Sequence, residues 1–214
     1  MPGSMPSMLV ALLVASVCGG GLASPRSAQA ARYEGFGATT RGGAGGPVVR
    51  VTNLQDSGPG SLREALARGD RTIVFDVGGE ILLERRLEVN GPYVTIDGST
   101  APPPGITLRN HGLVIYGHRS AHDVIVTGLR IRDAAGDGIT IAYGASSVVI
   151  DHVSIQGSAD GNLDITMDSR DVTVSWSILA EPAASQKNML IKYDAARVTL
   201  HHNLFTTSRQ RNPQ

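Results

Sequence analysis

Four sites in this 214-residue sequence carry charge at nearly even intervals: Asp137, Asp160-Gly161, Lys187 and Arg211. Counted through Gly161, the steps are 24, 26 and 24 residues, and Asp164 lies four residues after Asp160. If the chain coils with that period, the three aspartates fall on two neighbouring coils about 4.8 Å apart. Lys187 and Arg211 then follow on the next two. Three converging carboxylates repel one another unless a cation bridges them. Oxygen-only ligands select a hard ion, and calcium accepts loose geometry and several waters. Zinc would need a convergent His or Cys set. The plainer alternative is that these aspartates only make turns, where Asp is common.

The elements that must position these residues show the same period. Apolar stretches begin at Val124, Val148, Val172 and Val198, with steps of 24, 24 and 26. A second set begins at Gly112, Gly138, Asn162 and Asn188, with steps of 26, 24 and 26, and a fainter copy spans Val94–Gly98. Each is rich in β-branched residues and bounded by Gly, Asn, Asp or Ser, which predicts strand and turn. Asp137-Gly138 and Asp160-Gly161 would also suit hairpins of a sandwich. A sandwich gives two strand sets no reason to share one period, whereas the coils of a solenoid require it. The leucine pattern of a leucine-rich horseshoe is absent, so an all-β, single-stranded parallel β-helix is predicted.

Lys plus Arg and Asp plus Glu both number 19, so no global field recruits nucleic acid or an anionic membrane. Aromatics are 4 % of the chain against 26 Gly, which disfavours a helical globule. Met8–Val17 is an apolar run too short to span a bilayer, and it leads to the small-x-small site Ala28-Gln29-Ala30. Residues 1–30 are therefore read as a signal peptide, although no Lys or Arg precedes the apolar core. Residues 31–214 are expected to form one secreted, monomeric domain. Cys18, the single cysteine, falls in the leader, so the mature chain has no disulfide.

Ser61-Leu62-Arg63-Glu64 is a capping box. Leu62, Ala65 and Leu66 give that helix one apolar face, Gly69 is placed to end it, and the helix is expected to plug the open end of the solenoid. Nothing comparable precedes Gln214, which leaves a strand edge and a core cross-section uncovered. The sequence is accordingly read as the front part of a longer protein.

The stretch Gly35–Leu66, the Val149-Ile150-Asp151-His152 element, Asp160–Asp164, Lys187–Leu190, and His202-Asn203 leading to Arg211-Asn212-Pro213 together resemble the pectate lyases of polysaccharide lyase family 1. Single motifs are modest; their order is specific. The resemblance implies a right-handed parallel β-helix and calcium held by Asp137, Asp160 and Asp164. It implies Lys187 as a substrate-binding lysine and Arg211 as the first arginine of an Arg-x-Pro-x-x-Arg motif whose second arginine would lie beyond Gln214. The implied reaction is β-elimination of polygalacturonate. A guanidinium ordinarily keeps its proton, so Arg211 is open to two roles, base or electrostatic stabiliser.

Other polar residues are assigned to structure. Asp151-His152 follows a strand away from the acidic column. His201 and His202, as neighbours in a strand, should point to opposite faces. Asn203 is expected to bond along the stack and Trp176 to pack within a strand. Arg41–Gly46 lacks the Lys-Ser/Thr of a phosphate loop. Two competing functions stay open: a calcium-independent pectin lyase, which would not need the three aspartates, and a non-catalytic glycan-binding or adhesin-like β-helix, in which the cations would have no reason to share a column with carboxylates.

Overall fold

The computed structural model describes residues 33–183 and 185–214; the expected leader at 1–30 lies outside them. One coil reads Ile139–Ala142, a bend, Ser146–Asp151, a sharp corner, Ser154–Gln156, and a longer loop into Leu163–Thr166 of the next coil. Corresponding strands stack in parallel into sheets of five, seven and six strands. The register follows the predicted period. Val124, Val148, Val172 and Val198 are successive partners, and so are Leu113, Ile139, Leu163 and Met189. Alternate side chains point inward, so Val124, Val148 and Val172, and beside them Val126, Ile150 and Val174, form fully buried aliphatic stacks. Among the described residues no helix is long and apolar enough to cross a membrane.

The corner between the seven- and six-stranded sheets is made by Gly128, His152, Trp176 and His202, all at left-handed φ of 70°, 49°, 49° and 53°. That backbone costs roughly 1–2 kcal/mol at a non-glycine residue. Ring stacking along the column offsets part of it: Trp176 lies 4.1 Å from His202 and 6.1 Å from His152, both nearly parallel. Trp176, expected inside a strand, is thus a corner residue, 53 % exposed, and packs through this stack. The same corner overturns the expected divergence of His201 and His202. The turn at His202 breaks strand alternation, and the two Nδ1 atoms meet at 2.9 Å.

The cap forms as a single turn, Leu62–Ala65, with Ser61 Oγ accepting from Glu64 N–H at 3.2 Å. Glu64 reaches back to Gly60 N–H at 2.8 Å, closing the box one residue earlier than expected. Leu62, Ala65 and Leu66 are buried on the core. Gly69 does not end the helix, which stops at Leu66; it lets the chain approach Pro92 O, 2.2 Å from where a Cβ would stand.

Arg63 ties the cap down. Its guanidinium meets Asp56 Oδ1 at 2.5 Å and donates to the carbonyls of Arg85 (2.8 Å) and Arg86 (2.9 Å). Burial pushes the Asp56 carboxyl up, but hydrogen bonds from Arg63 and the Glu84 N–H outweigh it and hold the group below its ordinary 3.8. A lowered folded value stabilises above the unfolded one, and that contribution is lost as pH falls through the folded value. Arg63→Ala would leave Asp56, with 7 % of its side chain exposed, unpaired. The expected loss is about 3 kcal/mol, or roughly 6–12 °C in Tm. Thermal melts should show that difference at pH 7 and a smaller one in acid.

Residues 33–46 form a strap over the outer face of the seven-stranded sheet. Its backbone donors meet threonines of that face: Phe36 N to Thr199 Oγ1 (3.1 Å), Gly37 N to Thr173 Oγ1 (2.9 Å) and Gly43 N to Thr95 Oγ1 (2.9 Å). Tyr33 packs with Ile125 and Val149. A Cβ on Gly43 would stand 1.9 Å from Arg71 O, so the glycine-rich run at 41–46 serves close backbone approach.

Candidate active site and metal centre

The site lies along the edge of the five-stranded sheet, where loops enter its strands. Asp164 is the second residue of Leu163–Thr166 and has Thr140 and Leu190 as lateral neighbours. Asp137 precedes Ile139–Ala142 by two residues and accepts from Thr140 Oγ1 at 3.0 Å. Gly161 leaves a gap between them: a Cβ there would stand 3.0 Å from Asp164 Oδ1 and 3.1 Å from Asp137 Oδ1. Both of those oxygens are buried and make no hydrogen bond among the described residues; nor does Arg211 Nε.

Such oxygens are costly to ionise. Burial, then repulsion from Asp137, pushes Asp164 up to about 7, although Arg211 pulls it down. Burial also raises Asp137, against the Thr140 hydrogen bond and with help from Asp160. Two carboxylates, Asp164 buried and Asp137 partly so, each with one orphaned oxygen and raised proton affinity, fit a hard divalent cation, which would replace the protons and satisfy those oxygens.

Asp160 departs from the expected three-way convergence. It is largely exposed, and its Oδ1 lies 3.3 Å from Lys187 Nζ. Among the described residues no three acidic, imidazole or thiol groups stand together as a ready-made metal cluster. The inner pair is Asp137 and Asp164, while Asp160 spans from that pair to Lys187. Arg211 lies within electrostatic reach of both inner aspartates. It is held by its backbone: φ is 57°, and its carbonyl accepts from Met189 N–H at 2.7 Å.

An asparagine ladder behind the site was not anticipated. Asn162 Nδ2 donates to Asn188 Oδ1, and Asn188 Nδ2 to Asn212 Oδ1, each at 2.7 Å. It locks together the three loops that present Asp160, Lys187 and Arg211. Its signal was present in the sequence, three asparagines separated by 26 and 24 residues.

Asp151 and His152 lie apart from the acidic pair and bond within the stack: Asp151 takes Ser175 Oγ at 2.7 Å and His152 Nδ1 at 2.8 Å. They line a separate groove of about 400 Å³ beneath the start of the strap. Asn203 bonds along the stack to Ser177 N–H (2.9 Å) and Val174 O (2.7 Å), as expected.

The parallel β-helix is an architecture shared with known proteins. No protein-family model matches the sequence. The chain is 42 % identical over 186 residues to the probable pectate lyase C of Emericella nidulans, covering 85 % of this chain and 43 % of the relative. It is 31 % identical over 202 residues to pectate lyase 1 of Cryptomeria japonica, covering 80 % of this chain and 52 % of that protein. The chain therefore spans about half the length of these relatives. Among solved structures, the fold matches pectate lyase Bsp165PelA from Bacillus sp. N165 with a TM-score of 0.62 at 17 % identity, covering 81 % of this chain and 62 % of that one. It matches jun a 1, the major allergen from cedar pollen, with a TM-score of 0.60 at 24 % identity and the same coverage. The chain is thus similar in sequence to pectate lyases over part of their length, and it shares the parallel β-helix fold of these solved structures.

Proposed function

We propose that the protein is a secreted pectate lyase that cleaves polygalacturonate by calcium-assisted β-elimination, leaving unsaturated oligogalacturonates. The observation that carries this reading is the pair of orphaned oxygens of Asp137 and Asp164, facing one gap beside Arg211. Asp137 and Asp164 would hold the calcium ion, with Asp160 at its outer side. Bound there, calcium supplies a Lewis acid for the C6 carboxylate of a uronate. Lys187, steadied by Asp160, places a point charge for the same carboxylate or its neighbour. Arg211 would face C5, either accepting the proton itself or stabilising the negative charge left when water accepts it. The C4–O bond then breaks, the departing oxygen takes a proton from water, and a C4=C5 double bond remains.

The test is incubation of the full-length protein with polygalacturonate and calcium, followed by ultraviolet absorbance of the unsaturated product. Product that appears with calcium and stops on chelation is expected. No product in calcium would sink the lyase reading, and product that survives chelation would favour a calcium-independent pectin lyase. The division into a leader at 1–30 and a domain at 31–214 is part of the same proposal. N-terminal sequencing of secreted protein should begin at Ala31.

A further inference from the structure

The charged column does not stop at Asp137. Leu87, Leu113, Ile139, Leu163 and Met189 are lateral partners on successive coils. Two residues before each of them stand Arg85, His111, Asp137, Gly161 and Lys187. The order along the solenoid is therefore cation, imidazole, acid, a glycine preceded by Asp160, and cation, with Arg211 beyond. One groove of about 500 Å³ runs without a break from Arg85 and Arg86 past His111 and Tyr116 to Asp137 and Asp160.

The far end of that groove is built rather than incidental. Arg63, half-buried beside it, donates to the carbonyls of both Arg85 and Arg86, which fixes the loop. Asp56 Oδ1 pins the Glu84 N–H at 3.1 Å from the other side. With their carbonyls turned inward, the two exposed arginine side chains are left at the surface. The Arg86 guanidinium lies 5.5 Å over the Tyr116 ring and 3.5 Å from Glu88. Arg85 forms no ion pair among the described residues. An uncompensated arginine facing a groove suits an anion, and the planar guanidinium suits a carboxylate.

We propose that Arg85 and Arg86, backed by His111 and Tyr116, form a carboxylate-binding subsite two coils from Asp137. The proposal rests on the lyase reading and adds to it an extent. A polyuronate carries one carboxylate on every sugar. Laid along the axis, it would meet cations on both sides of the acidic pair; laid across the coils, it would meet only one side. Coil spacing places Arg85 about 10 Å from Asp137, on the opposite side from Lys187 and Arg211.

The test uses the full-length protein and the double variant Arg85→Ala/Arg86→Ala. On polygalacturonate, kcat/KM is expected to fall roughly fivefold or more, carried by KM, because each exposed arginine–carboxylate contact contributes up to about 1 kcal/mol. Hexagalacturonate should also be cut at a different set of bonds, since losing one end of the binding register lets the chain slide. Arg85→Lys/Arg86→Lys should restore most of the KM and the original cutting pattern. An unchanged KM with an unchanged hexamer product pattern would overturn the subsite. If the wild-type protein makes no unsaturated product, the lyase reading fails instead, and retardation in a gel containing polygalacturonate then decides the subsite alone. The double variant must run faster than wild type there, and equal mobility overturns it.

Discussion

Arg211→Ala is expected to lower turnover of polygalacturonate by roughly 10²- to 10⁴-fold, the range for loss of an acid–base group or a main electrostatic stabiliser. The size follows from where the side chain stands. Arg211 Nε is buried with no hydrogen-bond partner among the described residues, so the guanidinium is not spent on structure. The fold uses Arg211 through its backbone carbonyl, which accepts from Met189, and alanine keeps that bond. The left-handed φ of 57° is a small added cost for alanine. The variant should therefore still fold and still gain thermal stability from calcium while losing catalysis. Arg211→Lys separates the two roles: a stabiliser tolerates a second cation in part, whereas a base that depends on the guanidinium does not. Turnover within a fewfold of wild type in the alanine variant would remove Arg211 from the mechanism.

The second large effect concerns Asp164, whose carboxyl is raised to about 7 by burial and by Asp137. A carboxylate raised in the folded state costs stability once it ionises. The native protein binds the proton more tightly than the unfolded chain does, so stability falls as pH rises from about 4 to about 7. A shift of this size corresponds to roughly 4 kcal/mol. Calcium held by Asp137 and Asp164, as proposed, would reverse the trend, because its binding would be coupled to release of the proton. Melting temperatures measured without calcium should decline between pH 5 and pH 8, and calcium should recover them most at the higher pH. Asp164→Asn cuts the decline back to the share that Asp137 contributes and removes most of the calcium response. A wild-type melting curve insensitive to calcium at pH 8 would exclude Asp164 as a ligand.

Much of this was legible because a solenoid imposes one spacing on everything it carries. Val124, Val148 and Val172 had to recur in step with Asp137, Gly161 and Lys187, so apolar strands and charged column predicted each other. Three things escaped. The orientation of Asp160 toward Lys187 is a matter of side-chain torsion, which spacing does not determine. The left-handed corners at His152, Trp176 and His202 are not signalled by residue type, since bulky residues rarely adopt them. The strap at 33–46 obeys no repeat, and its partners lie 52 to 163 residues away in the chain. The asparagine ladder and the Arg85–His111 extension did leave periodic signals, but polar residues at 24-to-26 spacing stand out only once the register is known.

The strap also has a temporal meaning. Its residues leave the ribosome before any coil exists, yet Phe36 and Gly37 bind Thr199 and Thr173, which are made more than a hundred residues later. The earliest part of the domain to be synthesised is among the last able to settle. Contacts this remote carry a high loop-closure cost and close slowly. Until the coils through Thr199 are stacked, Phe36 and Gly37 at the start of the strap lack their full set of partners, although Gly43 can already meet Thr95. In such an order of events the first residues of the strap act as a late fastening, withheld until the coils through Thr199 have arrived.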